Sequence, residues 1–136
     1  MTDVPEFARG LDRAGWERLL FNGADRQFKV EAPARLIARH GYWLEVPEFM
    51  AFLGFYPPDA AGIYYQQAAE ALDAGRLPVR DQEDANVLRF AAGLADEYTF
   101  LLTYAAENNS AETIELMAEA LMYKNGFTTS TATARP

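Results

Sequence analysis

Residues 81–105 read DQEDANVLRFAAGLADEYTFLLTYA. Within that stretch Val87, Ala91, Leu94, Tyr98, Leu101 and Ala105 recur at spacings of four, three, four, three and four. This is the repeat of one face of an α-helix. Asp81 stands where an N-cap is needed, because its carboxylate can accept from a backbone N–H of the first turn. The helix is expected to bend or break around Gly93 to Tyr98, and Asn108-Asn109 to end the periodic run.

Working outward, the same signals recur. Asp12 is placed to cap a helix carrying Trp16, Leu19 and Leu20, which Asn22-Gly23 would stop. Phe28 and Val30 read as a brief extended link. Pro33 suits a first helical position, followed by a run from Ala34 to His40 that ends at Gly41. Pro47 opens a short helix through Phe52, closed by Gly54. Pro57-Pro58-Asp59 reads as the start of a helix with Ile63, Tyr64, Ala68, Ala71 and Leu72 on one stripe. Gly75 ends it, and Leu77-Pro78 links onward. Ser110 caps the last helix, with Ile114, Met117 and Leu121 expected inward and Glu112, Glu115 and Glu119 outward; Asn125-Gly126 stops it. The expected fold is all-α: a single compact domain of about six helices over residues 1–126, the last two forming an antiparallel pair. Residues 127–136 form a Thr-rich tail expected to be mobile or ordered by a partner.

The chain has 136 residues, enough for one domain. It has no cysteine, so disulfides, thiolate catalysis and zinc–thiolate sites are excluded together. Its start, MTDVPEFARG, lacks a basic segment followed by an apolar run, and no window approaches a membrane span. A cytoplasmic location is the expectation, and Asn108-Asn109-Ser110 then reads as a chance match to the glycosylation sequon.

The net charge of −8 is uneven. Residues 1–40 hold six acids and seven Lys/Arg, whereas residues 41–136 hold fourteen and five. Phosphate backbones and anionic membranes need cations, so neither is an expected partner of the second half. A basic protein is, because opposite charge attracts it at long range. A solvated acidic face is the plainer alternative.

Chemistry-bearing residues are few. His40 is the sole imidazole, at a helix C-terminus where a cap or packing role suffices. Ser110, one of two serines, is already a cap, which leaves no good Ser–His–Asp set. Asp81-Gln82-Glu83-Asp84 resembles the start of a calcium loop, but Asn86 stands where glycine is needed and Ala92 where glutamate is needed. Ala34 to Leu53 could be taken for a helix-turn-helix, yet its second helix presents no Arg, Lys, Asn or Gln to bases. No catalytic residue, metal or cofactor is assigned.

The aromatic band remains. Eight of eighteen aromatics fall between Tyr42 and Tyr65. Trp43, Phe52, Phe55, Tyr56, Tyr64 and Tyr65, with Tyr42, exceed what a small core needs, so part of the band is expected at the surface as a binding patch. Asp96, Glu97, Glu112, Glu115 and Glu119 would supply its acidic flank.

The segments Ile37 to Leu44, Ala71 to Pro78 and Val87 to Ala95 resemble stretches of small uncharacterised helical proteins from actinobacteria, across about residues 34–126. That resemblance implies a helical fold and carries no activity. The leading expectation is a non-catalytic protein-binding module: an accessory subunit, an immunity-type inhibitor or an assembly factor. A homodimer would absorb the same patch. One alternative is a small-molecule-binding protein or enzyme with an aromatic pocket near His40. Another is a phage-like structural component whose tail docks as an added strand.

Overall fold

Three N-caps set the frame. Asp12 accepts from the Gly15 N–H at 2.8 Å, and Ser110 Oγ accepts from the Thr113 N–H at 3.2 Å. Asp81 and Asp84 cap one another reciprocally, each side chain accepting the other's backbone N–H at 3.2 Å. Each cap stabilises its helix by about 1 kcal/mol. The computed structural model describes residues 4–127. After a 3-10 turn at Glu6–Ala8 come α1 (Arg13–Ala24) and α2 (Phe28–His40). Two 3-10 turns follow, Trp43–Glu45 and Pro47–Phe52, then strands β1 (Leu53–Tyr56) and β2 (Ala60–Ile63). The chain closes with α3 (Tyr65–Asp73), α4 (Gln82–Ala95), α5 (Thr103–Ala106) and α6 (Ala111–Lys124).

The chain is mostly helical but not purely so. Where a helix was expected from Pro57, β1 and β2 pair antiparallel, with Leu53 opposite Ile63 and Tyr56 opposite Ala60. Pro57-Pro58-Asp59 is the hairpin turn, and the bond between the prolines is cis. The helix expected there begins only at Tyr65, once the Tyr64 N–H has bonded to the Phe52 carbonyl at 2.8 Å. The hairpin lies on α1, where Gly23 makes the approach feasible: a β-carbon there would collide with the carbonyl oxygen of Ala61. That is why Asn22-Gly23 does not end α1, which runs on to Ala24 and stops at left-handed Asp25 and Arg26.

A second correction concerns α2. It starts at Phe28 and holds Pro33 in its interior, so the expected extended link is a helical turn. A proline there removes one backbone hydrogen bond, at a cost of about 3 kcal/mol or more. Contacts with α6 offset it. The Phe28 ring meets Tyr123 edge-on at 5.6 Å, the Tyr123 hydroxyl donates to Glu31 at 2.7 Å, and Arg35 lies over the same ring at 5.0 Å. Gly41 ends α2 in the left-handed conformation.

The expected break after Gly93 is present: α4 ends at Ala95, and the next helix, the short α5, starts only at Thr103. Helix α2 is central and packs against α1, α4 and α6. Its buried Leu36 and Ile37 join Trp43, Phe49, Val87 and Leu88 in one core. Among the described residues no helix is long and apolar enough to cross a membrane. Of the tail expected over residues 127–136, all but Phe127 lies outside the described residues.

Candidate functional site

The aromatic band divides between interior and surface. Trp43 is fully buried and its indole N–H donates to the Asp84 carbonyl at 2.8 Å; its ring sits 5.5 Å from Phe49. Tyr65 is buried too, and burial pushes its phenol well above the ordinary value. Neither offers a partner any surface. Phe52 and Phe55 are half-buried against the core. Tyr42 is half-buried, with its hydroxyl on the Pro78 carbonyl at 3.0 Å and Arg80 over its ring at 4.9 Å. Only Tyr56 and Tyr64 are exposed, beside Gly54 on the hairpin, where their mutual hydrogen bond raises the Tyr56 phenol.

The acidic candidates serve different places. Asp96 accepts from the Gln66 N–H at 3.2 Å, serving the first turn of α3, and Glu97 is exposed. Glu112 and Glu115 are exposed on α6, and Glu119 stands 3.7 Å from Arg39. The inward face of α6 is not the expected one. Thr113, Met117, Ala120 and Tyr123 are buried, whereas Ile114 and Leu121 are 40% and 48% exposed. At 3.6 residues per turn the outer surface of α6 carries two adjoining strips. Glu112, Glu115 and Glu119 form the acidic one; Ile114, Ala118 and Leu121 form the apolar one. Further exposed aliphatics occur at Leu101 and at Leu102, which is 80% exposed just before α5.

A second feature surrounds His40. The pocket expected there was aromatic; the one present is polar. The C-terminus of α2 meets the N-terminal ends of α1, α4 and α6 at a cleft of about 250 Å³. Arg13, Arg39, Arg80, Glu83, Ser110 and Glu112 contribute to its wall. The His40 side chain is 8% exposed, and its Nε2 lies 3.5 Å from Asp84 Oδ1. Its Nδ1 is buried with no hydrogen-bond partner. Asp84 is fully buried and accepts from Arg80 at 2.8 Å. Glu83 accepts from the Ser110 hydroxyl at 2.7 Å and from the Thr113 hydroxyl, which ties α4 to the start of α6. Burial lowers the His40 pKa against the opposing pull of Asp84 and Glu83.

Sequence reasoning missed Arg80, Glu83 and Asp84 as parts of one cluster. Two signals were available: the Arg80–Asp84 spacing of four across the start of α4, which brings opposite charges within reach, and the capping-box spacing of Asp81 and Asp84. Among the described residues no group of three or more His, Asp or Glu is arranged to hold a metal. No protein-family model, curated protein or solved structure matches the chain.

Proposed function

We propose that the protein is a non-catalytic binding module, and that the outer surface of α6 docks a basic, amphipathic segment of another protein. One observation carries this reading: Ile114 and Leu121 lie exposed on a strip adjoining Glu112, Glu115 and Glu119. An apolar strip gives a partner its anchor, and an acidic rim selects its charge and hastens encounter. The nine acids against Arg89 alone within residues 81–119 favour a basic partner over a neutral one. Tyr56 and Tyr64 are what remains of the aromatic surface, and they widen the binding face only if the partner reaches the hairpin.

The test uses a photo-crosslinking residue at Ala118, with one at exposed Gln82 as control. The expected product joins Ala118 to a segment rich in Lys or Arg on one helical face and aliphatic on the other. A synthetic peptide of that segment should bind the whole protein, weaken as salt is raised, and lose affinity at least tenfold with Ile114→Asp or Leu121→Asp. An acidic captured segment, or binding indifferent to both substitutions, overturns the reading. A product joining Ala118 to a second copy of this chain replaces the partner with a homodimer.

A further inference from the structure

We infer that the polar cleft at His40 is a binding site for a small oxyanion, the phosphate or carboxylate group of a ligand, held between Arg13, Arg39 and Arg80. The inference does not rest on the docking surface of α6.

Three arginines line one space of about 250 Å³, in a chain of net charge −8 whose acids outnumber its Lys and Arg by twenty to twelve. Three of the chain's ten arginines therefore meet at one place. Guanidinium offers paired donors that match the oxygens of carboxylate and phosphate. Two of the three are not held shut by the protein's own acids. Arg13 forms no ion pair among the described residues. Arg39 stands 3.7 Å from both Glu17 and Glu119, longer than a charge-assisted hydrogen bond of about 2.7–2.9 Å. Arg80 is fixed by Asp84 at 2.8 Å and by stacking on Tyr42, so its position is set in advance.

The backbone adds some charge of the same sign, set against the C-terminal end of α2 and the capping carboxylates of Asp12 and Asp81. The N-terminal ends of α1, α4 and α6 all reach the cleft, and each carries partial positive charge. His40 stands beside the three arginines. Its side chain is more than nine-tenths buried, it forms part of the cleft wall, and its Nδ1 has no partner. Burial favours the neutral ring, and with Nε2 turned to Asp84 the enclosed Nδ1 is an acceptor, so His40 senses occupancy of the cleft and does not itself hold the oxyanion.

Of the two acids in the wall, one is engaged and one is not. Glu83 is engaged by the Ser110 and Thr113 hydroxyls. Glu112 has no ion-pair partner among the described residues and opposes an anion directly. Arg13, Arg39 and Glu112 also line a wider neighbouring recess of about 620 Å³.

Inorganic phosphate and succinate, each titrated into the whole protein at constant ionic strength against chloride, test this by calorimetry and by the ring-nitrogen NMR signals of His40. The expected result is saturable binding of at least one of them, with a His40 shift that saturates at the same concentration. Arg13→Gln should weaken it by about 10–100-fold, the loss of one charge-assisted contact. Arg76→Gln, outside the cleft, should leave it unchanged, and Glu112→Gln should tighten it. Phosphate binding without succinate assigns a phosphorylated ligand; the converse assigns a carboxylate. Absence of binding by both, or binding unaltered by Arg13→Gln and silent at His40, overturns the site. Ile114→Asp should leave the titration untouched, which separates this site from the docking surface.

Discussion

Between Tyr42 and Tyr65 most of the aromatic mass is turned inward, whereas α6 turns part of its aliphatic mass outward. The first region is built of 3-10 turns and a hairpin. Its rings are therefore met from several sides: Trp43 by Tyr42 at 5.0 Å and Phe49 at 5.5 Å, Phe55 by Phe7 at 6.3 Å. The second is a regular helix seated on α2 and, less extensively, on α4. Support from one side covers only one face. Thr113, Met117 and Ala120 occupy that face, and Ile114 and Leu121 are left over. Density of apolar residues is thus a poor guide to where a protein is sticky. The number of elements that surround a residue decides it.

Substitutions can break or sharpen this contrast. The largest effect is expected at Trp43. Trp43→Ala removes a fully buried ring and the hydrogen bond to the Asp84 carbonyl, and should cost about 3–5 kcal/mol in chemical denaturation. A loss below about 1 kcal/mol would mean that the band is not the core. Next is Gly23→Ala, which forces a methyl against the Ala61 carbonyl. It should cost about 1–3 kcal/mol through overpacking of the α1–hairpin contact, read as a lower Tm. An unchanged Tm would detach the hairpin from the core.

A smaller effect concerns His40. Its folded pKa lies below the ordinary 6.5 because burial disfavours the charged ring. In that window the unfolded chain binds the extra proton, so His40's contribution to stability is complete above about 6.5 and falls as pH drops toward the folded pKa. The difference in unfolding free energy between wild type and His40→Gln should therefore shrink on acidification from pH 7.5 to pH 5. A difference that grows instead would mean that Asp84 and Glu83 outweigh burial. The smallest expected effect is at Ile114: Ile114→Ser should change stability by less than about 0.5 kcal/mol, since the side chain is already 40% exposed. A loss above about 1.5 kcal/mol would put Ile114 back among the core residues.

Much of the helical frame was legible. Asp12, Asp81 and Ser110 act as caps because capping is local, needing only a carboxylate or hydroxyl three residues before the N–H it serves. The hairpin was not legible. Pro57-Pro58-Asp59 can open a helix or make a turn, and four-residue strands leave too little alternation to decide between them. The candidate cleft was hidden for another reason. Arg13, Arg39 and Arg80 are each unremarkable where they stand in the chain, and the ends of four helices bring them together.

The chain's own order of residues determined where α1, α4 and α6 start and that α6 would be amphipathic, because both follow from contacts within a turn or two. It also determined the acidic balance and the absence of thiol chemistry. Which face of α6 would be covered was decided by tertiary structure. The sets Ile114–Met117–Leu121 and Thr113–Met117–Ala120 both satisfy the 3.6-residue period, and only the position of α2 chooses between them. The same holds for His40 and Asp84, far apart in sequence, whose 3.5 Å approach exists because α2 and α4 pack side by side.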